Sequence, residues 1–538
     1  MKIENLDHLG LVAGIVDELG LVELTNEQLG QHKLENISAG QVVKALILNG
    51  LGFVSAPLYL FSEFFESKPV EHRLGEGVQA AHLNDDRLGR VLEQLYEAGT
   101  SSFFLRVAMQ AVKRFGVDVG QVHLDSSSFS LQGNYEPQPV EAGELDPVPI
   151  EICRGYSRDQ RPDLKQFVVN LMCSADSGVP LWLNVADGNQ SDAQQFAQLM
   201  RQFADRWQMD SVFVIDAAFY SKPNIQQVGS LKWISRVPQT LSDAQALVQR
   251  ETDELTPVAS ANKNYQMWET TAEYGGVKQR WILIESQTRK ADQSLWEPEL
   301  KKLEKRLKRD LKQLAQQVFA CKPDALEALM RFQDTLAVHH ITEVTVETIR
   351  TKRSPGTSAQ GKHPIQTSAT GYQLKAKLER RLTAEATYQN QRARFILATN
   401  QLDATQWPAD KLLQEYKGQQ KTERGFRFLK DPLFFTSSLF VKKAQRVEAL
   451  SLVMALTLMV YTLAERKLRQ TLAAQQQTVL NQKKQPTVKP TFRWVIQMFQ
   501  GVHLVQIDQL MHISNLTDER RRIIRFLGSH VEPYYALS

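Results

Sequence analysis

"QVHLD", residues 121–125, is where the hydrophobic period of this sequence turns from helical to strand-like. "FVVNLMC" (167–173) and "PLWLNVA" (180–186) follow as short β-rich runs, with the turn signal "ADSG" (175–178) between them. "DAQQFAQLMRQFADRW" (192–207) then reads as an amphipathic helix, with Phe196, Leu199, Met200 and Phe203 on one side. "SVFVID" (211–216) returns to a buried strand. Three strands, a helix and a further strand describe a mixed α/β sheet. Two of these strands end in carboxylates, Asp125 and Asp216.

An Asp at a strand end is often only a turn-former or a helix cap. Asp216 resists that reading, because four apolar residues precede it and "AAFY" follows. A carboxylate in such surroundings needs a partner or a cation to offset its desolvation. Several carboxylates at one site repel one another and resist ionising together unless a divalent ion is present. Oxygen-only ligation by such carboxylates suits Mg²⁺ or Mn²⁺ rather than zinc. HExxH, GxxxxGK[ST] and GxSxG are all absent from the chain, so the common rival chemistries lack their signatures.

A second unusual stretch is "YKGQQKTERGFRFLKDP" (416–432). Read as one helix, it gathers Tyr416, Gln419, Glu423, Arg427 and Lys430 on a single face, at spacings of 3, 4, 4 and 3. An ordinary core helix would place Leu or Val there. "RGYSRDQRPDLKQ" (154–166) carries Arg154, Arg158, Arg161 and Lys165 within twelve residues. A solvated basic loop is the plain explanation, and contact with a nucleic-acid backbone is the functional one.

At 538 residues the chain is too long for one core. Residues 1–116 look all-helical, with Ser38 as N-cap of a helix whose stripe is Val42, Val43, Leu46 and Ile47. They could hold a helix-turn-helix, although 10 Lys and Arg against 16 Asp and Glu in residues 1–120 argue against strong phosphate binding. Residues 401–538 have 20 against 11, and a basic balance of that kind fits a polyanionic partner. Between Asp216 and Glu423 lie 206 residues, more than a sheet-to-helix connection needs. "LKWISRVP" (231–238) supplies a last central strand, and an inserted domain follows. In it, a long helix, 297–319, carries a seam of Leu300, Leu303, Leu307, Leu311, Leu314 and Val318, expected to pack on another helix such as "QLKAKLERRLTAEATYQNQ" (373–391). "TKRSPGTSAQGKHP" (351–364) reads as a mobile loop.

"ALSLVMALTLMVYTLA" (449–464) is too short to span a bilayer and reads as a buried core helix. Residues 473–490 read as a polar linker, followed by a small basic, partly aromatic tail. The N-terminus lacks the pattern of a signal peptide, and three cysteines cannot supply a disulfide framework. The expectation is a cytoplasmic protein with no membrane span.

Tyr416, Glu423 and Lys430 match the signature Y-x2-R-x3-E-x6-K of DDE-type insertion-sequence transposases. "VHLDSSSFSLQGNY" (122–135) and "VFVIDAAFYSKPNI" (212–225) resemble that family's two Asp motifs, and "RGYSRDQRPDLKQ" with "DGNQSD" (187–192) is also similar. The resemblance runs from about Val122 to Lys430 and departs at Gln419, where the family has Arg. It implies a ribonuclease-H-like mixed-sheet catalytic core, interrupted by an α+β insertion, with an N-terminal helical domain and a helical C-terminal region. The expected boundaries are 1–116, 117–238, 239–400, 401–470 and 471–538. It further implies a metal-holding catalytic triad of Asp125, Asp216 and Glu423, with two Mg²⁺ (or Mn²⁺) ions. Tyr416, Gln419, Arg427 and Lys430 would meet the DNA backbone. The implied activity is cleavage at the inverted repeats ending an element and joining to target DNA, by a homodimer on double-stranded DNA. A nuclease without strand transfer and an inactive DNA-binding remnant are the alternatives.

Overall fold

The computed structural model describes residues 2–31, 35–52, 61–133, 135, 148–250, 257–258, 262–352, 368–431, 443–508 and 510–536. The chain packs as two units. The first comprises Met1–Ser235, Tyr274–Val277 and Leu412–Ser538, and the second Arg236–Glu273 and Lys278–Lys411.

The first unit opens with strand β1 (Lys2–Asn5) and helices α1 (Leu9–Leu19), α2 (Leu21–Leu29), α3 (Ala39–Gly50), α4 (Asp85–Glu97) and α5 (Thr100–Phe115). Ser38 starts α3 with a reciprocal capping box: its hydroxyl accepts the Gln41 N–H, and the Gln41 side chain accepts the Ser38 N–H. The predicted stripe of Val42, Val43, Leu46 and Ile47 is buried.

Five strands then build the sheet that positions the site: β2 (Gln121–Leu131), β3 (Lys165–Ser174), β4 (Pro180–Ala186), β5 (Val212–Ile215) and β6 (Lys232–Arg236), with helix α6 (Asp192–Trp207) between β4 and β5. Their spatial order is β4-β3-β2-β5-β6. β3 runs antiparallel to β2 and β4, whereas β2, β5 and β6 are mutually parallel neighbours. This is the ribonuclease-H-like mixed sheet. Strands buried on both faces read as continuous apolar runs, which is why β3 and β5 show no alternation.

The second unit contains β7 (Tyr265–Tyr274), β8 (Val277–Ser286), α7 (Glu297–Ala315), α8 (Lys322–Asp334), β9 (His339–Lys352), β10 (Ser368–Arg380), α9 (Leu382–Ala393) and β11 (Arg394–Thr399). The sequence reading misplaced the partner of the leucine seam. "QLKAKLER" is strand, not helix, and pairs antiparallel with β9. Its apolar residues Leu374, Ala376 and Leu378 alternate with Lys375, Lys377 and Glu379, a period of two that fits a half-buried strand. Leu311 of α7 packs with Leu374, Ala325 and Leu329, so the seam faces β10 and α8 together. The loop expected at 351–364 falls almost wholly on 353–367, outside the described residues.

The chain returns to the first unit through α10 (Ala409–Gly418) and α11 (Gln420–Leu429), then α12 (Ala444–Ala474). α12 is long and apolar enough to cross a membrane by composition, and most of its apolar stretch is buried inside the unit against α3, α4, α5 and β4. The segment read as a linker holds a short antiparallel pairing of Val479–Leu480 with Pro486–Thr487. After it come α13 (Phe492–Met498), β12 (His503–Ile507), β13 (Leu510–Ser514) and α14 (Asp518–Leu527). β12 pairs with both β13 and β1, which joins the two ends of the chain in one small sheet.

Candidate active site

Parallel pairing of β2 with β5 sets Leu124 beside Ile215. The residue after each is an aspartate, so Asp125, in the middle of β2, and Asp216, just past the carboxyl end of β5, are lateral neighbours. β5 stops at Ile215 while β2 continues to Leu131, so the edge of β2 that β5 had covered is no longer paired with it from Asp125 onward. Asp216 caps the short turn Ala217–Phe219, its carboxylate accepting the Ala218 N–H at 2.9 Å. The Ser235 hydroxyl of β6 donates to the Asp216 carbonyl at 2.9 Å and fixes the backbone there.

Burial pushes the Asp125 carboxyl up from 3.8 to about 6. The Ser126 N–H and the Arg158 charge pull the other way, while Asp216 and Glu423 add to the rise. Asp216 is raised too, chiefly by burial, against the Ala218 N–H and Arg158. Two neighbouring carboxyls that resist ionising are the electrostatic condition a divalent cation relieves. The donors are all oxygen, as Mg²⁺ and Mn²⁺ prefer.

Glu423 lies on α11, which packs on β2 and β3. The Lys421 ammonium pins this helix to the turn after β3, donating to the Ala175 and Asp176 carbonyls. Gly425 lets α12 come close, since a Cβ there would sit 3.1 Å from Leu458 Cδ2. Glu423 itself is exposed. Among the described residues, no three Asp, Glu, His or Cys side chains are gathered closely enough to hold one ion. Two carboxylates are therefore set in place by the sheet, and the third stands on the neighbouring helix.

The single helix face expected over 416–430 is broken. α10 ends at Gly418 and α11 begins at Gln420, with the Gln419 N–H reaching back only to the Tyr416 carbonyl, at 3.2 Å. Projecting residues at 100° per residue holds only within one unbroken helix. Gln419 is consequently buried, at 6% exposure, rather than turned outward. Tyr416 is half-buried and Arg427 exposed. Lys430 Nζ lies 2.7 Å from Asp159 Oδ1 and 5.3 Å from the centroid of the Phe129 ring.

The basic loop divides by role. Arg154 is exposed, Arg161 makes a two-point pair with Asp163 at 2.7 and 2.9 Å, and the Lys165 ammonium donates to the Tyr135 carbonyl. Arg158 reaches the acidic pair: Nη1 lies 3.9 Å from Asp125 Oδ1, and Nη2 donates to Ser126 Oγ at 2.9 Å. Ser126, Ser128 and Asp159 were not singled out in the sequence. The run of three serines after Asp125 was the available signal, because small hydroxyls in a central strand leave room for an incoming side chain.

His123 and Gly418 also went unnoticed. A Cβ on Gly418 would lie 2.7 Å from His123 Cε1, and His123, two residues before Asp125, is fully buried. Gly418 is thus where the α10–α11 joint settles onto the strand that carries Asp125. Gly418→Val should cost about 1–3 kcal/mol by overpacking. It should also slow any cutting by about 10²-fold, as Glu423 moves relative to the aspartates. Adding His123→Ala should restore part of both losses. Thermal melts and a cleavage assay on the two single variants and the double variant check the coupling.

A half-buried pair of aspartates side by side on adjacent parallel strands of a ribonuclease-H-like sheet defines the class of acidic, oxygen-ligand sites suited to divalent metals. Comparison with known families matches residues 123–460 to the transposase DDE domain and residues 1–109 to a domain of unknown function (DUF4277). The chain belongs to the DDE transposase family. No curated protein matches it. Among solved structures, a match is the cryo-EM structure of a piggyBac transposase synaptic complex with hairpin DNA, at 10% identity and a TM-score of 0.36, covering 91% of this chain and 78% of that one.

Proposed function

We propose that this chain is the transposase of an insertion sequence, cutting the ends of its element and joining them to target DNA. The observation that supports the reading best is the side-by-side placement of Asp125 and Asp216 where the pairing of β2 with β5 ends. Glu423 stands on the helix packed against the same strand. Asp125, Asp216 and Glu423 would hold Mg²⁺ or Mn²⁺, two ions in all. Bound there, such ions supply a polarised water or 3′ hydroxyl and neutralise charge on the leaving oxygen.

The protein's own part is positioning. The Ser235 and Ala218 contacts fix the direction from which Asp216 presents its carboxylate. Partial burial of both aspartates raises the cost of their charge and strengthens charge interactions there. Tyr416, Arg427, Lys430, Arg154, Arg158, Arg161 and Lys165 offer cations and hydrogen-bond donors to phosphates, and Gln419, being buried, is left out of that set. The domain division that goes with this reading is a helical domain over 1–116 and a catalytic domain over 117–238 and 401–470, interrupted by an α+β insertion over 239–400. A C-terminal segment, 471–538, completes it. Two ends have to be cut together, so a homodimer on double-stranded DNA, acting in the cytoplasm, is part of the proposal.

The test is a DNA duplex carrying the element's own end, incubated with the full chain and a target plasmid. Nicking in Mg²⁺, its loss in excess EDTA and its return with added Mg²⁺ are expected, together with covalent joining to the plasmid. Cutting without joining would reduce the protein to a nuclease. Binding without cutting would make it an inactive remnant.

A further inference from the structure

We propose that Arg158 is a built-in counter-ion of the acidic site, held there by a strap that a divalent cation must open. The inference rests on the metal-site reading above. The strap is the loop between Arg154 and Leu164, and it is fastened at two places. On the strand side, the Arg158 N–H donates to Ser128 Oγ at 3.2 Å and its guanidinium to Ser126 Oγ at 2.9 Å, with Nη1 3.9 Å from Asp125 Oδ1. On the helix side, the next residue, Asp159, pairs with Lys430 at 2.7 Å, at the C-terminal end of the helix that carries Glu423. Strand and helix are the two elements a triad would have to bring together.

The guanidinium lies along the stretch of β2 that extends past the end of β5. Its charge acts on Asp125 and Asp216 alike. Arginine cannot discharge itself by losing a proton, so a divalent ion entering between the aspartates meets a fixed like charge. One of them has to leave. The apparent metal affinity is then reduced by the fraction of molecules whose strap is closed.

A phosphate group offers Arg158 and Lys430 an alternative partner. DNA that draws them off the carboxylates would open the site to metal, and by linkage metal would tighten DNA binding to the same degree. The metal-free protein keeps its acidic pair neutralised, and the site becomes competent when substrate arrives.

The experiment is a Mn²⁺ titration of the full chain without DNA, followed by calorimetry and by the electron paramagnetic resonance signal of free Mn²⁺. Arg158→Gln should tighten binding about fivefold, the scale of a partly exposed ion pair. Asp159→Asn, which leaves Arg158 in place and loosens only the helix-side fastening, should shift affinity the same way by less. Adding a short duplex to the wild type should tighten Mn²⁺ binding, and to Arg158→Gln much less so. Unchanged or weaker binding in both variants would overturn the strap while leaving the metal site standing. Binding that survives Asp125→Asn undiminished, or no binding by any form, would remove the metal site and the strap with it. Melts in EDTA show whether each variant is folded.

Discussion

Asp125→Asn is expected to abolish Mg²⁺-dependent cutting and, in EDTA, to make the protein harder to melt. The loss of cutting should reach about three orders of magnitude, since removing a ligand of a reacting metal forfeits several kcal/mol of transition-state stabilisation. The gain in stability follows from burial. The folded carboxyl titrates at about 6 against an ordinary 3.8, so its charged form is the costly one in the native state. That cost is fully present above about pH 6, fades as pH falls from there, and is gone near 3.8. An amide of the same shape does not carry it. The difference in melting temperature between variant and wild type should therefore be largest at neutral pH and close by about pH 4. Equal melting at both pH values would mean that Asp125 is adequately paired in the native state. Glu423→Gln is the control that separates the two effects: it should lose cutting as severely, yet gain little stability, because Glu423 is exposed.

The largest structural loss is expected at Arg394 in the second unit. Arg394 and Glu285 face each other across the antiparallel pair β11–β8, with both side chains about 1% exposed. The guanidinium donates to Glu285 at 2.8 Å and to the Val248 and Arg250 carbonyls at 2.9 Å each, and it lies 5.7 Å from the Trp268 ring centroid. Burial alone would push the Glu285 carboxyl up, but hydrogen bonds from Lys290 and Arg394 outweigh it and hold it below its usual range. Arg394→Ala leaves the buried Glu285 carboxylate with Lys290 alone and strands two carbonyls, which should cost about 3 kcal/mol. Replacing both partners together, Arg394→Met with Glu285→Leu, should cost much less, because no buried charge is then left uncompensated. Denaturant melts of the three forms decide it. A double variant as unstable as Arg394→Ala would show that packing around the pair, not its charge, holds the unit together.

What was legible in the sequence had a local signature. The change of period at residue 121, the apolar run before Asp216 and the helix between them gave the central sheet and both aspartates, because strand and helix periods are written in neighbouring residues. Glu423 as the third ligand rests on its spacing to Tyr416 and Lys430 and belongs to the proposal. What was not legible depended on partners remote in the chain. Gln419 looked outward on a projected helix and is buried, because Gly418 lets the joint settle against His123 nearly 300 residues earlier. The segment after Ala474 read as linker because its polarity is high, yet Val479–Leu480 finds a partner across a tight turn. Leu374, Ala376 and Leu378 carried the strand period in plain view, but a run of Lys, Glu and Leu also has high helix propensity. Pairing with β9 decided between them.

The small sheet that joins β1 to β12 has a consequence for how the protein is made. Residues 2–5 leave the ribosome long before the strand they pair with, 503–507, which comes about five hundred residues later. Tyr534, still later, closes onto Asp17 and Lys44. At ~5–20 residues per second of synthesis, the N-terminal strand waits on the order of half a minute to two minutes for its partner. The second unit, drawn from residues 236–411, can be complete well before that. A newly made chain therefore carries a finished middle and an unfinished N-terminal region until residues 503–534 have been made. Chains cut short anywhere before about residue 503 cannot close this sheet, and β1 then keeps an unpaired edge.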